Sequence, residues 1–377
     1  MLTIWLDISR GLAALWVLLY HLEPMIAPVF PAGAALARLG DLGVPVFFVV
    51  SGFCITASAS GVVAENKRSR HFLLRRLLRI YPAFWASVGV VLATPLAIAA
   101  VSALKSGTFA LEPQRWWALG GQDWLAVLTL TRVFTGAEAH LQETFNAVNA
   151  VYWTLAIEIQ FYLVVFAALC LRRHFWVVLA AVTAASWLTL PYWATHVSGL
   201  FLGYWPMFSL GIGLYLLVTR TRRPPRAALA GVVLAGALLA LCATDPVWRV
   251  ALYRYLAAAA LFGVLAWWLA PTEDHLARAR DGGRPLARWP VRGLAFLGTM
   301  SYSLYLIHGK VFTLPMMFAR QVVSPGSLLF PVLTIAGTVG LAAVFHRVCE
   351  RPFLSRRPPE PAPAAQRVSP AAGPPAP

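Results

Sequence analysis

Charged residues are scarce in this chain, and acidic residues are the scarcest of them. Of 377 residues, 12% are charged, with 31 Lys and Arg against 15 Asp and Glu, while 59% are hydrophobic. Soluble globular domains carry about one quarter charged residues, so this composition excludes that class. The mean hydropathy of +0.68 predicts an integral membrane protein instead.

Cysteine is also rare, and its spacing excludes two further kinds of structure. The four cysteines, Cys54, Cys170, Cys242 and Cys349, fall within or beside apolar segments and form no C-x-x-C pair. This pattern supports neither a disulfide framework nor a zinc site, and we expect no metal and no permanently bound cofactor. The sequence shows no internal repeat and no soluble catalytic domain.

The net charge of +16 would suggest a nucleic-acid partner in a soluble protein, but here the basic residues cluster in short loops between apolar segments. That clustering is what the positive-inside rule describes. We therefore expect a lipid bilayer and no nucleic acid as partner, and a multi-pass protein of the cell (inner) membrane.

Apolar segments long enough to cross a bilayer, about 17 to 25 residues, are found at ten places. They lie at roughly 6–22, 40–60, 80–103, 151–171, 175–193, 198–218, 226–243, 249–270, 294–319 and 327–348. A stretch near 122–134 is short and contains Asp123 and Arg132, which favours an interfacial or re-entrant segment. Met1 leads almost directly into the first span, without a basic stretch or cleavage site, so we expect that span to be retained.

Ten spans place every Lys- and Arg-rich loop on one side, so both termini are predicted to be cytoplasmic. The fold class is therefore predicted as all-α, a polytopic membrane protein with about ten transmembrane helices around a polar cavity. Residues 1–353 form the transmembrane domain, and the Pro- and Ala-rich residues 354–377 form a disordered cytoplasmic tail. The loop at about 104–150 would face outward, and loops of that length are usually functional or act as lids.

The first span contains an arginine and a histidine, Arg10 and His21. At about 100° per residue they return to nearly the same helix face, roughly 16 Å apart. Because an arginine in hydrocarbon is costly, it is expected to face a protein interior or a wet cavity. We interpret the pair as two ends of a polar slot. Taken singly, Arg10 reaching lipid phosphates and His21 capping a helix remain alternatives.

Three arginines, Arg75, Arg76 and Arg79, lie in HFLLRRLLRIYP, residues 71–82. They are predicted to project to one side of a helix that runs into the third span. Guanidinium groups at this spacing suit a ligand with several phosphates. A topology signal or a patch that binds anionic lipid would give the same pattern.

Glu158 lies about two turns into the fourth span, in YWTLAIEIQFYL, and Tyr162 shares its helix face. A carboxylate at this depth needs a partner. We predict His21 for that role, and a structural bond to Gln160 or to backbone is the alternative.

The ninth span contains SYSLYLIHGK, in which Tyr302, Tyr305 and His308 are predicted to line a cavity. A histidine that is a satisfied polar residue rather than a catalyst is the alternative. The tenth span ends in CERPF, where Pro352 would stop the helix. There Glu350 is expected to bond Arg347 or another basic residue.

Six stretches in this order resemble the membrane-bound acyltransferase-3 family: LDISRGLAALWVLLYH, GVPVFFVVSGFCI, RRLLRIYP, YWTLAIEIQFYL, SYSLYLIH and ERPF. The resemblance matches the family's arginine and histidine to Arg10 and His21, and its R-x-x-R element to Arg76 and Arg79. Its W-x-L-x-x-E element is matched by Trp153, Leu155 and Glu158. Pro45 departs from the acidic or small residue often found there. No hydrolase domain of the SGNH type follows, so we expect no second transfer step by a fused domain.

The resemblance implies O-acylation of a sugar or glycan hydroxyl from a cytoplasmic acyl-coenzyme A, with acetyl as the expected group. In this interpretation His21 is the general base, Glu158 orients it and Arg10 guides the donor, while Arg75, Arg76 and Arg79 bind the donor phosphates. A small natural product such as a macrolide remains an alternative acceptor. A transporter without acyl-transfer chemistry, or a membrane scaffold, remains an alternative function.

Overall fold

The structure, a computed structural model, describes residues 3–132, 140–196, 199–220, 251–282 and 285–354. Within these ranges the regular elements are helices and no strand occurs. The helices are α1 (Thr3–His21), α2 (Glu23–Ile26), α3 (Pro31–Ala37), α4 (Gly43–Ala64), α5 (Ser69–Ser106), α6 (Gly121–Thr129), α7 (His140–Val148), α8 (Trp153–Cys170), α9 (Phe175–Leu188), α10 (Leu190–Thr195), α11 (Trp205–Arg220), α12 (Ala251–Leu269), α13 (Glu273–Gly282), α14 (Pro285–Thr299), α15 (Ser301–Val311), α16 (Thr313–Val322) and α17 (Leu329–Phe345).

Five helical segments within the described residues are long and apolar enough to cross a membrane. They are Pro31–Ala64, Ser69–Ser106, Ala150–Cys170, Leu252–Gly282 and Leu329–Phe353. Each overlaps a predicted span, and α1 coincides with the first predicted span. The all-helical membrane fold is therefore confirmed. The predicted span at 226–243 and the tail from residue 355 lie outside the described residues, so the count of ten and the side of each terminus stay predictions.

Two predicted spans are divided in the structure. The segment at 294–319 consists of parts of α14 and α16 with α15 between them, and the segment at 175–193 is divided between α9 and α10. Pro315 and Pro191 lie in the first turns of α16 and α10, where proline's missing N–H costs least. The described part of the stretch near 122–134, up to residue 132, contains α6, which at about 14 Å is too short to cross.

Glycines bring α1 close to its neighbours. A methyl group added at Gly298 of α14 would overlap the carbonyl oxygen of Asp7, and one added at Gly11 would lie 2.6 Å from the Gly298 nitrogen. Small residues permit such close backbone crossings between membrane helices. Because α1 also packs against α4 and α15, its Ala14 and Val17 face is buried, at 0% and 3% exposed.

Part of the loop at 104–150 is folded onto the helices. The Tyr81 hydroxyl donates to the Thr129 carbonyl at 2.6 Å, and the Trp85 indole donates to the Leu128 carbonyl at 2.9 Å. The buried Asn149 amide donates to the carbonyl of Leu306 at 2.9 Å. These bonds fix both α6 and the start of α8 beside the core.

Candidate active site

A narrow cavity of about 60 Å³ lies among α1, α4, α5, α8 and α15, with room for several water molecules. Its polar lining combines guanidinium groups, one carboxylate and several hydroxyls, contributed by Arg10, Ser51, Arg79, Thr154, Glu158, Tyr162, Ser301, Tyr302 and Tyr305. The structure therefore brings together six residues that the sequence analysis selected from four separate helices. His21 and His308 do not line this cavity.

Glu158 is held by hydroxyl groups. The Tyr162 hydroxyl donates to its carboxylate at 2.6 Å, and the Ser51 hydroxyl donates at 3.1 Å. The predicted bond between Glu158 and His21 is wrong, because among the described residues the hydrogen bonds of the carboxylate are to these two hydroxyls. The alternative partner is also excluded, since Gln160 bonds the backbone of Gly199 and Phe201.

The three arginines of α5 do not share one side. Arg79 lines the cavity, while Arg76 donates to the Cys54 carbonyl at 3.3 Å and lies over the Tyr162 ring at 5.9 Å. Glu158 attracts both guanidinium groups. Arg75 is exposed and bonds the carbonyl of His71 in its own helix. The predicted common projection is wrong for Arg75, whose exposed side chain folds back onto its own helix, whereas Arg76 and Arg79 are partly buried.

Two tyrosines of α15 form a wall of the cavity. The Tyr302 hydroxyl donates to the Ile80 carbonyl at 2.9 Å. The Tyr305 hydroxyl lies 2.7 Å from the Thr154 hydroxyl and 3.2 Å from the Val151 carbonyl. These bonds orient both phenol rings against the cavity.

Two histidines meet beyond Tyr305. The ring of His21, at the end of α1, lies 5.0 Å from the ring of His308, and the ring of Tyr305 lies 5.6 Å from His308. His308 is 0% exposed. Tyr305 therefore contacts the cavity on one side and the histidine pair on the other. The sequence marked both histidines but gave no sign that they pair.

A buried polar cluster lies behind Arg79. Glu350 accepts from the Ser303 hydroxyl at 2.5 Å and from His346 Nδ1 at 2.8 Å. Glu350 is predicted to bond Arg347 or another basic residue, and the basic residue is His346, because the π-helical turn His346–Glu350 brings the carboxylate to His346 rather than to Arg347. Glu350 and Glu158 both exert an electrostatic attraction on the Arg79 guanidinium. Sequence analysis missed Ser51, Ser303 and His346, since a hydroxyl or a histidine in an apolar helix has no distinctive spacing.

The cavity can hold an anionic group, through its guanidinium groups, beside hydroxyls that donate or accept protons. Among the described residues no cluster of three or more His, Cys, Asp or Glu side chains is suited to a metal ion.

A comparison with known families identifies the chain. The family model described as "Acyltransferase domain" matches residues 3–347. The chain belongs to this acyltransferase family. The cavity thus lies inside a membrane acyltransferase domain that covers nearly the whole chain.

A curated relative agrees with this assignment. The chain is 28% identical over 329 residues to the protein named "Putative membrane-bound transacylase BcsY" of Komagataeibacter xylinus, covering 80% of this chain and 71% of that protein. No solved structure matches the chain.

Proposed function

We propose that this membrane acyltransferase moves an acyl group, with acetyl as the expected one, from a cytoplasmic acyl-coenzyme A to a hydroxyl of a sugar or glycan. The observation that carries the proposal is the succession of polar side chains inside the domain. Arg79 and Arg10 line the cavity together with Tyr305, and the His21 and His308 pair lies on the other side of the Tyr305 ring.

Donor binding is assigned to the arginines at the cavity. Acyl-coenzyme A carries several phosphates, and guanidinium groups bind phosphate oxygens through paired N–H donors. Arg79 and Arg76 are partly buried, and Arg76 donates to the Cys54 carbonyl, so neither side chain is fully exposed before a donor arrives. In this proposal Arg79 and Arg76 bind the phosphates and Arg10 guides the donor arm. The exposed Arg75 takes no part in donor binding.

The transfer step is assigned to His21 as general base. The acceptor hydroxyl gives its proton to the imidazole while its oxygen attacks the thioester carbonyl carbon. The carbon–sulfur bond then breaks, and the departing coenzyme A thiolate takes the proton back from His21. The thioester must pass the Tyr305 ring to reach His21, since His21 lies beyond the cavity wall.

The test uses the purified protein in lipid nanodiscs with radiolabelled acetyl-coenzyme A and a cell-surface glycan. We expect labelled glycan from the native protein and at least about 100-fold less from His21→Ala, as expected for loss of a general base. The matched control is His196→Ala, because His196 is exposed and stacks on Tyr192 at 4.2 Å, away from the cavity.

Two outcomes would overturn the proposal. Full activity of His21→Ala would remove that residue from the mechanism. Uptake of a solute by proteoliposomes without any acylated product would favour a transporter. The acceptor class is read separately by mass spectrometry, seeking a shift of one acyl unit on surface glycans or on secreted small molecules of cells with and without the gene.

A further inference from the structure

We propose that His308 is a positioning residue for His21: its Nε2 lone pair accepts the N–H of His21 and so orients the imidazole that takes the acceptor proton. This inference rests on the proposed function. It gives His308 the role that the sequence analysis gave to Glu158.

The neutral His308 ring carries its proton on Nδ1. Its Nδ1 lies 2.9 Å from the Tyr305 carbonyl and 3.1 Å from the Leu304 carbonyl. Carbonyl oxygens only accept hydrogen bonds, so Nδ1 carries the hydrogen. In the neutral ring Nε2 is then a bare acceptor. His308 therefore cannot donate to a thioester oxygen, which excludes one role that a cavity-lining histidine would otherwise have.

The other ring nitrogen of His308, Nε2, is buried and has no hydrogen-bond donor beside it in the described part of the chain. A buried acceptor without a donor is unfavourable, so an unpaired nitrogen in a core needs an explanation. A donor that arrives or reorients during the reaction supplies one.

We identify His21 as the donor that reorients toward Nε2 of His308. The His21 ring is 5.0 Å from the His308 ring, tilted by 54°, so a small rotation of His21 brings one of its nitrogens toward Nε2. The nearby Tyr305 hydroxyl is already committed to Thr154 and Val151. His21 itself makes no hydrogen bond in the described part of the chain.

His21 acquires a positive charge during the proposed reaction, and His308 can accept its second N–H. When His21 takes the acceptor proton it becomes a cation with an N–H on both nitrogens, and it needs an acceptor for the second one. A carboxylate serves this purpose in other His-based sites, but Glu158 is held by Tyr162 and Ser51. A neutral His308 accepts that N–H without adding a second positive charge.

The test uses two substitutions that separate the two nitrogens of His308. His308→Asn keeps an amide N–H near the Leu304 and Tyr305 carbonyls but has no acceptor at the Nε2 position. His308→Gln places an amide oxygen near that position. We expect kcat to fall about 100-fold in His308→Asn and to stay within about tenfold of the native value in His308→Gln, with the KM for acetyl-coenzyme A unchanged in both. Thermal unfolding of each variant checks that it folds.

A second measurement does not depend on activity. Nitrogen NMR of the histidine-labelled protein in nanodiscs, with His308 assigned from the His308→Gln spectrum, is expected to show a protonated Nδ1 and a bare Nε2. A protonated Nε2 would overturn the proposal. So would equal kcat values in the two variants while the native protein is active, and that result would leave the proposed function standing. A native protein that transfers no acyl group would overturn the proposed function itself.

Discussion

At the scale of single residues, Arg79 and Arg75 form a matched pair on one helix, four residues apart but in different surroundings. Arg79→Ala is expected to raise the KM for acyl-coenzyme A about tenfold or more with little change in kcat, since a hydrogen bond to a charged group contributes about 1.5–3 kcal/mol. Arg76→Ala is expected to act in the same direction. Steady-state kinetics against donor concentration measures both.

The control for these substitutions is Arg75→Ala. Its side chain is exposed and bonds only the His71 carbonyl in the described part of the chain, so its KM should stay within about twofold of the native value. An equal rise in all three variants would contradict this assignment and would favour a diffuse basic surface.

Glu350 gives a prediction about stability at the same scale. Glu350→Ala removes the acceptor of Ser303 and His346, which are both buried, and is expected to lower the free energy of unfolding by about 1–3 kcal/mol. Glu350→Gln keeps an acceptor oxygen and should lose less. Thermal unfolding in detergent measures the difference. Glu65→Ala is the control, because Glu65 is exposed, and a loss as large as that of Glu350→Ala would contradict the argument.

At the scale of elements, the crossing of α1 and α14 decides where Arg10 points. Gly298→Ala places a methyl group on the Asp7 carbonyl oxygen, so it is expected to destabilise the protein by about 1–3 kcal/mol and to lower activity by shifting α1. Gly293→Ala on the same helix meets nothing within 4 Å and should be neutral or slightly stabilising. Thermal unfolding and acyl transfer are measured for both, and a neutral Gly298→Ala would show that the helices separate freely.

Composition and periodicity were enough to predict the helical membrane fold, because long apolar segments have few alternatives in a bilayer. They also selected Arg10, Arg79, Glu158 and Tyr305, since polar residues in such segments must face the interior. Composition and periodicity did not predict which groups these residues bond. Glu158 bonds Tyr162 and Ser51 rather than His21 because partners depend on the contacts between helices, which helical periodicity within one segment does not encode.

At the scale of the whole molecule, a cytoplasmic acyl donor requires a particular orientation of the chain in the membrane. The end of α5 that carries the arginines must lie on the cytoplasmic side. At 1.5 Å per residue, α5 is about 57 Å long, well beyond the hydrocarbon thickness of about 30 Å. Its first residues carry Arg76 and Arg79, and the loop before it contains Glu65. The two ends of α5 are therefore expected on opposite sides, with the arginine end inside.

Single-cysteine labelling tests this orientation in cells that express a variant without the native cysteines. Ser106→Cys lies at the last residue of α5, on the predicted outer side, and should react with a membrane-impermeant thiol reagent in intact cells. Glu65→Cys should react only after lysis. Ser324→Cys, exposed between α16 and α17, is a second site predicted to face outward. Labelling of Glu65→Cys in intact cells would place Arg76 and Arg79 at the outer face, where no coenzyme A is made, and a cytoplasmic acyl donor would then be excluded.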